Sequence, residues 1–198
     1  MNLIYLHGFK SSALSIKGQQ LKHYCERNCP EIRVHLPDLN LPPVQALARV
    51  ANLIESLDHV ALVGSSLGGF YATQLVARYA VPAVLINPAM RPWQLFHDLF
   101  AEQLPYPVTA DWSLDQAQLQ QLEQLACKQP QHADKILLLL QQGDEVLDYR
   151  DAQRYYSAAR PAALIITDAQ GNHGMDDFAE KIPLLLEFLS YSLTSRNP

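Results

Sequence analysis

The sequence is poor in cysteine and lacks long apolar runs, and each scarcity excludes a class of protein. An odd count of three cysteines argues against a disulfide framework and favours reduced thiols at Cys25, Cys29 and Cys127. The longest apolar run, residues 136–140, is much shorter than the ~20 residues of a membrane-spanning helix. The first residues do not have the pattern of a secretory signal. We therefore expect a cytoplasmic protein that has no membrane partner.

The sequence also lacks a run of basic residues, an internal repeat and a low-complexity tract. Its formal net charge is −5 at pH 7, and no basic cluster points to a nucleic acid or to an anionic membrane surface. With 198 residues, of which 48% are hydrophobic, the chain can form one domain with a sizeable core. A small molecule is therefore the expected partner.

Apolar segments that end in loop residues alternate with segments of helical periodicity. Buried strands are predicted at residues 3–6, 32–36, 59–64, 83–86, 135–140 and 162–167. Helices are predicted at residues 44–57, 67–79, 150–159 and 176–193, with Pro183 as a point where the last would split in two. This alternation indicates an α/β fold, with a mainly parallel six-stranded sheet flanked by helices.

One segment, between Asn87 and Lys135, interrupts this alternation. It has no strand signal, and its apolar stripes predict helices at residues 91–104 and 113–127. Ser113 and Gln116 have the spacing of a capping box at the start of the second helix. We expect residues 1–198 to form a single domain in which a small helical cap, at about residues 91–134, lies over the sheet edge.

The residues that follow the third predicted strand have the pattern G-x-S-x-G. They read GSSLG at positions 64–68, with a strand before them and a helix after them. Small flanking residues allow the sharp turn that projects a serine hydroxyl above the edge of a sheet. Ser66 is therefore the candidate nucleophile. The alternative is a plain strand-to-helix turn in which the serine only caps the helix.

A serine hydroxyl needs a general base, and histidine is suited to that role near neutral pH. In hydrolases built on such a turn the chain order is serine, acid, histidine, so the base should follow Ser66. His97 and His132 lie in or at the edge of the insertion. His173 lies in a glycine-flanked loop after the last strand, at the sheet edge that carries the serine. We predict His173 as the base; a loop histidine without a role is the alternative.

The acid that orients the base should follow the strand that precedes the histidine strand. Asp144 comes shortly after that strand and would accept a hydrogen bond from Nδ1 of His173. Asp148 is the rival, although its position suits the N-cap of the next helix. Asp168 is a weaker rival because it precedes His173 by only five residues.

The negative oxygen of a tetrahedral intermediate is usually held by backbone N–H groups. One donor should be Leu67, the residue after the nucleophile, and the second should come from the loop after the first strand. Gly8 lets that loop turn inward, which makes the N–H of Phe9 the best candidate. His7 is interpreted as a hydrogen-bonded structural histidine, with a second catalytic base as the alternative.

Four motifs together resemble one known family. The chain carries LHGF at residues 6–9, GSSLGG at 64–69, GDEVLDY at 143–149 and GNHG at 171–174. In this combination they are similar to the bacterial esterase YqiA family of the α/β-hydrolase superfamily, over essentially the whole chain. The resemblance implies an esterase with Ser66, Asp144 and His173 as its triad. It also implies six parallel strands in the order 2-1-3-4-5-6, without the antiparallel pair that opens larger α/β hydrolases.

The expected chemistry is transfer of an acyl group to water, which requires no metal and no cofactor. Four aromatic residues of the insertion either line an acyl pocket or form the core of the cap: Trp93, Phe96, Phe100 and Trp112. An apolar pocket would fit a carboxylic ester or an acyl thioester. Two alternatives remain: another acyl-transfer enzyme, such as a peptidase or an acyltransferase, and a hydrolase-like protein that only binds a ligand.

Overall fold

A computed structural model describes residues 1–194, which form a central sheet with helices on both faces. The strands are Asn2–Leu6 (β1), Arg33–His35 (β2), Val60–Ser65 (β3), Ala83–Ile86 (β4), Tyr106–Pro107 (β5), Ser113–Leu114 (β6), Ile136–Gln141 (β7) and Leu164–Asp168 (β8). The helices are Ile16–Asn28 (α1), Pro43–Ser56 (α2), Leu67–Tyr79 (α3), Pro92–Phe100 (α4), Gln116–Leu125 (α5), Tyr149–Ser157 (α6) and Phe178–Thr194 (α7).

Six strands form one sheet in the order β2-β1-β3-β4-β7-β8, and every neighbouring pair is parallel. This is the order that the family resemblance implies, once the short pair β5–β6 is set aside. The register aligns the ends of the central strands, with Gly64 of β3 opposite both Leu6 of β1 and Leu85 of β4. The carboxyl ends of these strands therefore meet at one edge of the sheet.

The central strands are apolar because both of their faces are covered. Alternate residues of β7 belong to different cores: Leu138 packs into the cluster under α2, α3 and α6, and Leu137 into the cluster under α1 and α7. Strands β3, β4 and β7 are buried along their whole length. Burial on both faces explains why their sequences are nearly continuous in apolar residues.

Helix α1 was not predicted, and its sequence explains why. It has 13 residues, but only Gly18, Leu21 and Cys25 are buried, so its apolar stripe is too narrow to stand out. Its start is marked instead by Ser15, whose hydroxyl accepts a hydrogen bond from the N–H of Gly18 at 3.3 Å. Helix α7 runs through Pro183 without a split. Pro183 is exposed, so water can satisfy the carbonyl that lacks its helical partner.

The insertion differs from its prediction in two respects. The first predicted helix ends at Phe100, and an antiparallel pair of short strands, β5 and β6, follows where no strand was expected. Pro105 and Pro107 cannot continue a helix, which is consistent with this change. The predicted capping box at Ser113 is also wrong. Asp115 caps α5, and its carboxylate accepts a hydrogen bond from the N–H of Gln118 at 2.8 Å.

No helix within residues 1–194 combines the length and the apolar character that crossing a bilayer would require. The longest, α7, has 17 residues and one face turned to solvent.

Replacement of Leu138 by alanine should destabilise the protein strongly, because this side chain is fully buried in the central sheet. We expect Leu138→Ala to lower the free energy of unfolding by about 2–5 kcal/mol. Leu184→Ala is the matched control, since Leu184 lies on the exposed side of α7. It should cost less than about 1 kcal/mol. Equal losses in urea unfolding would contradict the assignment of Leu138 to the core.

Candidate active site

Ser66 sits in a strained backbone conformation between β3 and α3. Its φ is 54° and its ψ is −117°, a region that residues other than glycine rarely adopt. The N–H of Ser66 donates to the carbonyl of Ile86 at 3.0 Å. The carbonyl of Ser66 accepts from the N–H groups of Gly69, Phe70 and Ala89 at 2.9, 3.2 and 3.0 Å. These four backbone bonds hold the turn in place.

The glycines of the G-x-S-x-G pattern allow the chain to pass itself at close range. A Cβ atom on Gly68 would lie 2.0 Å from the carbonyl oxygen of Leu6, and a Cβ atom on Gly64 would lie 2.4 Å from that of Gly68. Both distances are far inside van der Waals contact. The two glycines are therefore required by close packing: Gly68 packs on the end of β1, and Gly64 packs on Gly68. This requirement holds whatever Ser66 does chemically.

The structure brings together the three predicted side chains Ser66, His173 and Asp144 in one hydrogen-bonded chain. Nε2 of His173 lies 3.1 Å from Oγ of Ser66, and Nδ1 of His173 lies 2.8 Å from Oδ2 of Asp144. Since an ionised carboxylate can only accept, Nδ1 carries the proton and Nε2 is free to accept the serine hydroxyl. The Asp144 side chain is 2% exposed and that of His173 is 22% exposed.

Asp144 is fixed at both of its oxygens, whereas its rivals have other partners. Its second oxygen, Oδ1, accepts hydrogen bonds from the N–H groups of Val146 and Leu147, each at 2.8 Å. Asp148 caps α6 through the N–H of Arg150 at 2.9 Å, as its position in the sequence indicates. Asp168 accepts from the ammonium group of Lys181 at 2.6 Å.

Two buried polar residues that sequence reasoning missed hold the loop of His173. Nδ2 of Asn87 donates to the carbonyls of Asn172 at 3.1 Å and His173 at 3.3 Å, and its Oδ1 accepts from the N–H of Gln141 at 3.0 Å. Asn87 is 3% exposed and Gln141 is 2% exposed. Each follows or ends an otherwise apolar strand, and that interruption was the available signal.

The Gln141 side chain also holds the His173 loop. Its Oε1 accepts from the N–H of Asn172 at 2.8 Å, and its Nε2 donates to Oδ1 of Asp177 at 2.7 Å. Gly171 packs so closely on Gln141 that a Cβ atom there would lie 2.1 Å from Oε1. The φ of Gly171 is 92°, so glycine is required at this position for both reasons.

The exposed residue Glu145 contacts the same loop at the backbone of His173. Its carboxylate accepts the N–H of His173 at 2.9 Å, and that bond lowers the pKa of Glu145 below its ordinary value. The loop is thus held from β4, from β7 and from the segment that carries Asp144.

His7 is a buried structural residue in this arrangement. Its Nε2 accepts the N–H of Leu39 at 2.9 Å, and its Nδ1 donates to the carbonyl of Gly8 at 2.8 Å. Both ring nitrogens are therefore occupied by backbone groups. The next residues approach the serine closely, since a Cβ atom on Gly8 would lie 3.2 Å from Cβ of Ser66. Within residues 1–194, the N–H groups of Phe9 and Leu67 donate to no protein acceptor.

A cavity of about 880 Å3 opens over the serine; we call it the Ser66 cavity. Ser66, His173 and Phe9 lie on its wall. Four strongly exposed aliphatic side chains also line it: Leu14, Ile16, Leu99 and Val146. Exposed aliphatic residues that gather at one cavity are typical of a surface that binds an apolar group.

The four aromatic residues of the insertion have different surroundings. Phe96 lines the Ser66 cavity and packs on Phe9, with a distance of 4.4 Å between the ring centroids. Trp93 lines a separate cavity of about 550 Å3. Phe100 stacks on a tyrosine of β5, and Nε1 of Trp112 donates to Oε1 of Gln118 at 2.9 Å. Only Phe96 of this set lines the Ser66 cavity among the residues described.

No group of three or more histidine, cysteine, aspartate or glutamate side chains arranged to hold a metal ion occurs in residues 1–194. All three cysteines are free thiols. Cys25 lies in the core beneath α1, and burial raises its pKa to about 11, which disfavours the reactive thiolate.

Comparison with models of known families identifies the family to which the chain belongs. The model of the Uncharacterised protein family (UPF0227) matches residues 2–190. The chain belongs to the UPF0227 family. This is the YqiA-type family that the four motifs predict, so that prediction is confirmed.

Solved structures similar to this UPF0227 member share its fold at low sequence identity. Alpha/beta hydrolase domain-containing protein 10 from mouse is 15% identical, with a TM-score of 0.73 over 97% of this chain and 90% of that chain. Est1E from Butyrivibrio proteoclasticus is 14% identical, with a TM-score of 0.73 over 98% and 88%. A pyrethroid hydrolase from Sphingobium faniae JZ-2 is 14% identical, with a TM-score of 0.65 over 96% and 97%. These similarities confirm the predicted α/β-hydrolase fold.

Removal of the Gln141 amide should loosen the His173 loop without unfolding the protein. In Gln141→Leu the N–H of Asn172 loses its acceptor, so its hydrogen–deuterium exchange should become about tenfold faster or more. Gln142→Leu is the matched control, because the neighbouring Gln142 is exposed and holds the sheet only through its backbone. Unchanged exchange across residues 171–174 in Gln141→Leu would show that the loop does not depend on this side chain.

Proposed function

We propose that this UPF0227 protein is a serine hydrolase that cleaves carboxylic esters, and acyl thioesters of similar shape, through an acyl-enzyme on Ser66. The observation that carries the proposal is the hydrogen-bonded chain from Ser66 through His173 to Asp144, on the wall of a cavity. A hydroxyl next to a neutral imidazole, itself oriented by a buried carboxylate, is the arrangement that activates serine.

In the proposed reaction Oγ of Ser66 attacks the ester carbonyl while Nε2 of His173 takes the hydroxyl proton. Asp144 accepts the Nδ1–H bond throughout and stabilises the imidazolium that forms. The carbonyl oxygen becomes an oxyanion, which the N–H groups of Phe9 and Leu67 would hold. Leu67 opens α3, so the positive end of the helix dipole adds to this stabilisation.

The tetrahedral intermediate then breaks its bond to the leaving group. His173 gives its proton to the departing alcohol or thiol, and the acyl group stays on Ser66 as an ester. Water attacks that ester, gives a proton to His173 and releases the carboxylic acid, and the proton returns to Ser66. The products are one acid and one alcohol or thiol, and no metal or cofactor takes part.

The cap is proposed to supply the apolar side of the substrate site. Within residues 91–134, which we propose form this cap, α4 places Leu95, Phe96 and Leu99 on the Ser66 cavity. An acyl chain that packs against these side chains gains about 0.8 kcal/mol for each CH2 group that is removed from water. We therefore assign an apolar acyl group to the substrate.

A fluorophosphonate probe should label the protein at Ser66, because it phosphylates serines that are activated by a neighbouring base. Labelling should disappear in Ser66→Ala. Ser65→Ala is the matched control, since Ser65 is the adjacent buried serine and makes no bond to His173. Gel detection of the bound probe measures both. Labelling that survives in Ser66→Ala would place the nucleophile elsewhere, and absence of labelling in the unaltered protein would favour a non-catalytic binding protein.

Replacement of Asp144 by asparagine should reduce turnover far more than the same change at Asp148. An asparagine at position 144 can present its NH2 group to Nδ1, which favours the wrong tautomer of His173, so kcat should fall about 10³–10⁴-fold. Asp148→Asn changes only a helix cap and should alter kcat less than about threefold. Hydrolysis of p-nitrophenyl butyrate measures both variants. A larger loss in Asp148→Asn would reassign the acid.

A further inference from the structure

The two walls of the Ser66 cavity differ in chemical character. Helix α4 contributes only apolar side chains to it, as described above. The opposite wall, formed by the β1–α1 loop, the first turns of α1 and the loop after His173, combines polar side chains with the exposed aliphatic side chains of Leu14 and Ile16. Its polar side chains include Ser12, Ser15, Lys17, Gln20 and Asp176. An ester bond held at Ser66 would therefore have only apolar side chains of α4 on one side, whereas side chains that can form hydrogen bonds lie on the other.

Gln20 is the residue of this wall that the fold itself does not use. Its Oε1 atom is buried and has no hydrogen-bond partner within residues 1–194. A buried acceptor without a donor is costly, and native proteins rarely keep one without a reason. The backbone of α1 needs no glutamine at this position. Oε1 is closed to solvent, so a hydroxyl group of a bound substrate could donate to it only after rotation of the amide about its last side-chain bond, at the cavity that Gln20 lines.

Lys17 supplies donors beside this acceptor. Its ammonium group donates to the carbonyl of Gly174 at 2.6 Å, which uses one of its three N–H bonds. Burial lowers the pKa of Lys17, and the carboxylate of Asp176 opposes that shift. Because a cation and an anion share this wall, it suits a neutral group with several hydroxyls better than an anion. Lys10, at the rim, is turned towards the cap, where it donates to the hydroxyl of Tyr106 at 2.9 Å.

We propose that the substrate is an ester of an apolar acid with a hydroxyl-bearing alcohol of the polyol type. The acyl chain lies against α4, and the alcohol lies against the wall that contains Gln20 and Lys17. The reverse orientation would bury an aliphatic chain against Gln20 and leave its amide unpaired. This inference rests on the proposed esterase function and adds the chemical class of both halves of the substrate.

Three esters of similar size test the proposal. Glycerol monobutyrate has an apolar acid and a polyol, propyl butyrate lacks the two free hydroxyls, and propyl glycerate places the hydroxyls on the acid. We expect kcat/KM for glycerol monobutyrate to exceed that for propyl butyrate about tenfold, since one or two hydrogen bonds are gained. Propyl glycerate should be the poorest of the three.

The variant Gln20→Leu should remove this preference. It replaces an amide whose buried Oε1 has no partner by a side chain of similar size, so folding should be preserved, as thermal unfolding will show. We expect kcat/KM for glycerol monobutyrate to fall to about the level of propyl butyrate, mainly through KM, whereas kcat/KM for propyl butyrate should not fall, because leucine offers its propyl group an apolar neighbour. Gln19→Leu is the matched control, because Gln19 does not line the Ser66 cavity and donates to the carbonyl of Ala13 instead.

The outcomes separate this inference from the proposed function. Equal rates for the three esters, a preference for propyl glycerate, or an unchanged preference in Gln20→Leu would overturn the polyol assignment and leave the esterase in place. Fluorophosphonate labelling of Ser66 without turnover of glycerol monobutyrate would also overturn it. Absence of both labelling and hydrolysis in the unaltered protein would remove the proposed function itself.

Discussion

The backbone of Ser66 is the constraint on which the rest of the site depends. A φ of 54° is costly for a serine, by about 1–3 kcal/mol, and persists only where the surroundings hold it. Three N–H groups that converge on its carbonyl, and its own bond to Ile86 of β4, provide that support. The same turn sets the direction of the hydroxyl, leaves the N–H of Leu67 without an acceptor among the described residues and starts α3. A change in this turn would therefore displace all three together.

The position of the histidine is fixed by a different mechanism, in which side chains replace a regular element. The loop of His173 has no strand or helix of its own, so Asn87 and Gln141 provide the partners for its backbone groups. These two residues are distant in sequence but adjacent in space, because β4 and β7 pair in the sheet. The long segment between β4 and β7 leaves the ends of these strands side by side, so Asn87 and Gln141 can support the loop together.

Local sequence patterns predict the strands of the sheet and the turn at Ser66. They do not predict features that depend on contacts between distant segments of the chain. Short apolar runs identify the strands of the sheet, and glycines identify the turn at Ser66. These patterns do not reveal helix α1 because its buried stripe is narrow. They also do not identify Asp115 as the N-cap of α5, because Ser113 lies two residues before it and offers a second capping pattern. The roles of Asn87 and Gln20 could not be read from the sequence, since a polar residue reveals its partners, or their absence, only when distant segments are brought together.

The contact between Gly68 and Leu6 has a consequence for reading sequences of this kind. Only glycine fits where the turn crosses the end of β1, so a relative that had lost its chemistry but kept its fold would still need that glycine. The two glycines of the pattern therefore indicate the architecture, whereas the proposed activity depends on the serine between them. A relative that keeps the fold without the proposed activity would therefore keep these glycines while its residue at position 66 or 173 is substituted.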